Sequence, residues 1–168
     1  VILISSGAVA CGRSELRHLP PSDLDTVDQR QLFSAVGQAK LMNRYYELFR
    51  EYGIHVGQVL TLKESFSTER HYQNQRNCMR VMLQNGVLPI VNENDTVSIT
   101  ELMFTDNDEL SGLIATMMNV QALILLSNVD GIYDGPPDDE SSTIIRRVEA
   151  GRSLDAYIQS SKSAFGRG

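Results

Sequence analysis

The sequence has little that would tie it to an oxidising compartment, a membrane or a polyanion. Only two of its 168 residues are cysteine, Cys11 and Cys78. That is too few for a disulfide framework, and neither has a Cys or His neighbour at zinc-ligand spacing. A reducing cytoplasm is the simplest setting. No apolar run approaches the roughly 18 residues of a membrane span. Val1–Ile4 is apolar with no charged stretch before it, so it does not read as a signal peptide. Positive charge is in deficit: 15 Lys and Arg stand against 21 Asp and Glu, a net charge of −6. That balance argues against nucleic acid or an anionic membrane as the main partner. The three histidines, His18, His55 and His71, fall in no metal or triad pattern, and no repeat or low-complexity segment is present.

What is there is the composition of a folded domain. Hydrophobic residues make up 42% and charged residues 21%, enough apolar material for a core in a chain of one domain's length. The chain opens inside what reads as a buried strand and closes on Phe165-Gly166-Arg167-Gly168, where a glycine-rich loop begins. The expectation is a single domain over 1–168, cut short at its N-terminal strand and at its C-terminal glycine-rich segment.

Strands and helices alternate along it. Val1–Ser5 is a β-branched run that turns at Ser-Ser-Gly and opens a helix. Pro20-Pro21 with Ser22 and Asp23 is a loop. Thr26-Val27-Asp28-Gln29 has the capping-box form and places a helix start at Thr26. Leu32, Phe33, Val36, Leu41, Tyr45, Leu48, Phe49 and Tyr52 follow at near-helical spacing, with Gly53 as the stop. Ile54–Leu62 reads as a strand. A helix capped by Ser67 or Thr68 follows, ending at Asn85-Gly86. Val87–Val91 is wholly apolar, as a parallel strand covered on both faces would be. Asp106-Asn107-Asp108 starts a helix that runs to about Asn119, and Ala122–Leu126 is a further all-apolar strand. Gly135-Pro136-Pro137 is loop. The alternation predicts an α/β domain with a mostly parallel sheet. Ligands of such sheets sit beyond the carboxyl ends of the strands, so the residues just after each strand are the candidates.

Each candidate has a functional and a purely structural explanation. Gly7-Ala8-Val9-Ala10-Cys11-Gly12-Arg13-Ser14 has P-loop spacing with Arg in place of Lys. The guanidinium fork is not the compact ammonium of that motif, and Pro20-Pro21 leaves no room for the long helix it requires, so close packing of small residues is favoured. Ser5-Ser6-Gly7-Ala8 offers hydroxyls and free N–H groups to an anion, or simply caps a helix. Asn92-Glu93-Asn94-Asp95 follows a buried strand. It either meets a cation such as an amino acid's ammonium, with Asp95 as its partner, or forms a solvated turn. Thr105-Asp106-Asn107-Asp108-Glu109 puts more acids at a helix start than one cap needs. That implies cations nearby, whether lysines or Mg²⁺. Ser127-Asn128-Val129-Asp130-Gly131-Ile132-Tyr133-Asp134 is a glycine turn with an aromatic, a shape that could cover a nucleotide.

In order and spacing these segments resemble the amino-acid kinase family. The resemblance is carried by Ile4–Gly12, Ala35-Val36-Gly37-Gln38, Tyr52–Gln58, Pro89–Asp95, Asp106-Asn107-Asp108 and Leu125–Tyr133. Within the family they are similar to the members that phosphorylate the γ-carboxylate of L-glutamate at the start of proline biosynthesis. The resemblance implies a three-layer α/β/α sandwich with a mostly parallel central sheet, using ATP with Mg²⁺. It implies Ser6, Asp95 and Asn107 as glutamate-binding residues, Ser127 and Asn128 as the nucleotide-binding pair, and Asp108 as the acid that organises the catalytic lysines. It also implies a homo-oligomer with proline as a feedback inhibitor. Two features depart from the family pattern. Asn128 stands where Asp is usual, and the family's two catalytic lysines have no counterpart within residues 1–168.

The competing readings are a relative acting on acetylglutamate, aspartate or a nucleoside monophosphate, and a non-catalytic ligand-binding domain of the same fold. Acetylglutamate has no free ammonium for Asp95, and a nucleotide acceptor would want basic residues after the first strands.

Overall fold

The computed structural model describes residues 1–18, 24–98, 106–136, 139, 141–149 and 151. The loop expected at Pro20–Asp23, Thr105, Pro137 and the glycine-rich close at Phe165–Gly168 lie outside the described residues. The chain divides into two units, 1–123 and 124–167.

The first unit is built on three parallel strands, β1 (Leu3–Ile4), β2 (His55–Thr61) and β3 (Val87–Glu93), in the order β1-β3-β2. Ile4 pairs with Val91, and Val59 pairs with Val91 on the other side, so the three form one row across the sheet. As expected from its uninterrupted apolar run, β3 is the central strand, and Pro89 to Glu93 are all buried.

Four α-helices are described: α1 (Ala8–Glu15), α2 (Thr26–Arg50), α3 (Glu69–Gln84) and α4 (Asn107–Met118). A 3-10 turn at Lys63–Phe66 follows β2. Alternate residues of β3 show that both sheet faces are covered. Val91 packs with Val59, Met79 of α3, and Leu110, Ile114 and Met117 of α4. The next residue, Asn92, points the opposite way and donates Nδ2 to Gln38 Oε1 of α2 at 3.1 Å. The result is helix, sheet, helix.

Local chemistry explains the helix boundaries, with one correction. α2 does start at Thr26, but its cap is Asp25. The Asp25 Oδ1 atom accepts from Val27 N and Asp28 N, both at 2.8 Å. An aspartate one residue upstream serves this role better than a threonine already in the first turn. At the other end Gly53 (φ 67°) donates to Arg50 O and Ile54 N donates to Phe49 O, the paired bonds of a Schellman stop. α1 and α2 cross closely: a Cβ on Gly12 would run into the Phe33 carbonyl, and one on Gly37 into the Ala8 carbonyl. The second glycine of the P-loop-like spacing is therefore a helix-crossing residue.

Two strand expectations change. The first strand is only Leu3–Ile4 rather than Val1–Ser5. Ala122–Leu126 forms no strand, and Ile124 and Leu126 are 79% and 93% exposed. A strand exists only where a neighbour accepts its ladder bonds, and an apolar run alone cannot supply one.

Within the second unit, Tyr133 bridges Ile144 in antiparallel fashion and Ile145 N donates to Ile132 O at 2.7 Å. Asp134 pins this short hairpin: its Oδ1 accepts from Thr143 N at 2.7 Å and its Oδ2 from Thr143 Oγ1 at 2.6 Å. Those bonds hold the Asp134 carboxyl below its ordinary value. No helix among the described residues is long and apolar enough to cross a membrane.

Candidate active site

The polar residues of the first unit gather where the three parallel strands end. After β1, the backbone turns through Ser5, Ser6 and Gly7 into α1. Gly7 takes φ 107°, and no side chain caps this helix. The two serines therefore do not serve the capping role open to them in the sequence. Ser5 is buried, and its hydroxyl bonds to Ser6 O at 2.9 Å and to the Tyr45 hydroxyl at 2.7 Å. Ser6 is exposed, and its hydroxyl accepts from the side-chain amide of Asn107. Asn107 also donates to Ser5 O at 3.2 Å. Ser6 and Asn107 are thus brought together.

The loop after β3 is not a solvated turn. Asn92, Glu93 and Asp95 are all buried. Asn94 does make the turn, accepting at its carbonyl from Val97 N (3.2 Å) and Ser98 N (3.1 Å). Burial of two carboxylates requires compensation. It comes from Arg30 of α2, which bonds to Asp95 Oδ1 and lies 3.3 Å from Glu93 Oε2. Ser98 Oγ donates to Glu93 Oε1 at 2.8 Å. Burial pushes the Asp95 carboxyl above its ordinary 3.8; the Arg30 charge and hydrogen bond pull it down but do not cancel that effect.

The acids at the start of α4 separate into different tasks. Asp106 is the cap, with Oδ1 accepting from Glu109 N at 2.8 Å. Glu109 meets Lys63, which follows β2, at 2.7 Å. Asp108 is exposed. In the second unit, Ser127 and Asn128 are also exposed, and Ser127 Oγ accepts from Val129 N at 3.3 Å. The three histidines are exposed and take no part in the strand-end cluster.

Arg30 and Tyr45, both on α2, are contributors that no sequence motif singles out, whereas Gln38 of the same helix lies in the Ala35–Gln38 stretch that carries the family resemblance. Buried acids in Asn92–Asp95 announce the need for a cation, but nothing local selects Arg30, 65 positions away from Asp95. Tyr45 is legible in the sequence only as one more apolar position of a helix.

A family model described as the Amino acid kinase family matches residues 1–167. The chain belongs to the amino acid kinase family. It is 73% identical over 168 residues to the "Glutamate 5-kinase" of Bacteroides thetaiotaomicron, covering all of this chain and 46% of that protein. It is 47% identical over 169 residues to the "Glutamate 5-kinase" of Chlorobaculum tepidum, again with full coverage here and 46% there. The "Glutamate 5-kinase 2" of Bacillus subtilis is 38% identical over 170 residues, with 45% of its length covered. The chain spans less than half the length of these curated relatives. For an amino acid kinase, the strand-end edge offers two hydroxyl- or amide-bearing groups after β1 and at α4, and a carboxylate pair after β3.

Proposed function

We propose that the protein carrying this chain transfers the terminal phosphoryl group of ATP to the γ-carboxylate of L-glutamate, giving L-glutamyl 5-phosphate and ADP, the first step of proline biosynthesis. The observation that carries this reading is 73% identity over the whole chain to a protein named "Glutamate 5-kinase". The geometry supports it. Buried Asp95 is suited to the substrate ammonium, because a second cation would offset the desolvation that raises its pKa. Ser6 and Asn107, already joined by a hydrogen bond, present a hydroxyl and an amide to the substrate's carboxylate end. Ser127 and Asn128 serve the nucleotide.

The chemistry requires no general base. A γ-carboxylate, which in water titrates at about pH 4.3, is already ionised at neutral pH. What the reaction needs is two anions held in line and charge stabilised in the transition state. Mg²⁺ arrives with ATP and offsets phosphate charge. Asp108, exposed on the first turn of α4, orients lysines contributed from outside residues 1–168. The same reading takes 1–168 as part of one kinase domain in a cytoplasmic homo-oligomer that proline inhibits.

The test is a panel of acceptors offered with MgATP to the intact protein, with any acyl phosphate trapped by hydroxylamine. Hydroxamate formed with L-glutamate, and not with aspartate or a nucleoside monophosphate, is the expected result. ADP release without hydroxamate would overturn the reading.

A further inference from the structure

We propose that Arg30 is a positioning residue of the acceptor site, holding the Asp95 carboxylate in the place and charge state that receives a cationic group. The inference rests on the glutamate reading above and deepens it by adding a residue on α2 that acts through Asp95.

Three observations lead to it. The Arg30 guanidinium spans two carboxylates, Glu93 at the end of β3 and Asp95 just after it, whose side chains are 7% and 9% exposed while its own is 28% exposed. It is thus the most exposed of the three groups. Its own backbone is fixed: Arg30 lies one turn inside a helix start that Asp25 caps twice, and Gln29 Nε2 anchors back to Leu24 O at 2.8 Å. Finally, the two acids sit in the same short buried stretch. The charged group that acts on Asp95 is Arg30, through both its charge and its hydrogen bond. Without the guanidinium, Asp95 would keep its burial but lose the charge and hydrogen bond that favour its ionised form, so it would hold a proton to higher pH. A protonated Asp95 offers nothing to an ammonium. The planar fork also matters, since it reaches two carboxylates at once where a lysine is a single point charge.

The experiment uses the intact protein with Arg30→Met, Arg30→Gln and Arg30→Lys. Steady-state kinetics are paired with a ¹³C NMR titration of the Asp95 carboxyl, which needs no substrate. Arg30→Met is expected to raise the glutamate KM by about tenfold or more, with kcat and the ATP KM within about twofold of wild type. The Asp95 titration midpoint should move up in Arg30→Met and Arg30→Gln, and Arg30→Lys should recover part of both effects. An unmoved midpoint overturns the proposal, as does a glutamate KM within about twofold of wild type or a common fall of both substrate affinities. If Arg30→Met does not fold, the midpoint in Arg30→Gln decides. If the wild-type protein fails to turn over glutamate, the substrate reading falls, while the Asp95 midpoint still tests what Arg30 does.

Discussion

Asn107, the first residue of α4, donates its side-chain amide to the hydroxyl of Ser6, 101 positions earlier and just past β1. The bond ties a helix start to a strand end without any contribution to capping, since Asp106 holds that position. Asn107→Ala should therefore leave the melting temperature close to wild type while raising the glutamate KM by about tenfold, the loss of one hydrogen bond to a charged group. The ATP KM should stay put. Paired initial-rate measurements against each substrate check this.

Asp106 and Asp108 should separate stability from turnover. Asp106→Ala removes the cap of α4 and should cost about 1 kcal/mol in urea unfolding. Asp108 is exposed, so Asp108→Ala should cost less than that, as a lost dipole interaction. In the intact protein, however, the proposed role of Asp108 in orienting lysines predicts that Asp108→Ala lowers kcat on the order of a hundredfold. Urea curves and kcat for both variants test the division.

Gly12→Ala and Gly37→Ala should each destabilise the protein by about 1–3 kcal/mol or more, because the added methyl meets backbone at the α1–α2 crossing. A phosphate-cradling Gly12 would behave differently, losing ATP affinity at unchanged stability. Chemical denaturation and nucleotide binding on Gly12→Ala distinguish the two.

The acid limb of acceptor use follows from Asp95. Its pKa in the fold lies above 3.8, so the folded state holds this proton more tightly than the unfolded chain does. The associated stability is full below 3.8 and is lost as pH rises through the raised value. Binding an ammonium needs the ionised form. Hence kcat/KM for glutamate should fall on acidification with a midpoint above 3.8, and Asp95→Asn should make that limb shallower, leaving the ionisation of the substrate's own γ-carboxylate at about 4.3. A pH–rate profile for both proteins is the measurement.

The fold was legible where local chemistry and tertiary demand agree. The unbroken apolar run Val87–Val91 needed cover on both faces, and β3 has it. Asp106 and Asn119 bracket α4 through a cap and a left-handed residue at φ 50°. Pattern failed where a partner decides the outcome. Ala122–Leu126 has the composition of a strand but pairs with none among the described residues. The serines after β1 have the composition of a cap but bond to Tyr45 and Asn107 instead. In the candidate site, the acids were visible from their density after a buried strand. Arg30 was not, because a cation recruited across 65 positions leaves no local trace.

The most direct test of the account is the ratio of kcat/KM for L-glutamate to that for N-acetylglutamate, measured on the intact protein and on Asp95→Asn. Acetylation removes the ammonium, leaving buried Asp95 without its substrate partner. The account predicts a wild-type ratio on the order of a hundred or more, collapsing by at least about tenfold in Asp95→Asn. Equal use of the two acceptors by wild type, or a ratio that Asp95→Asn leaves unchanged, would contradict it.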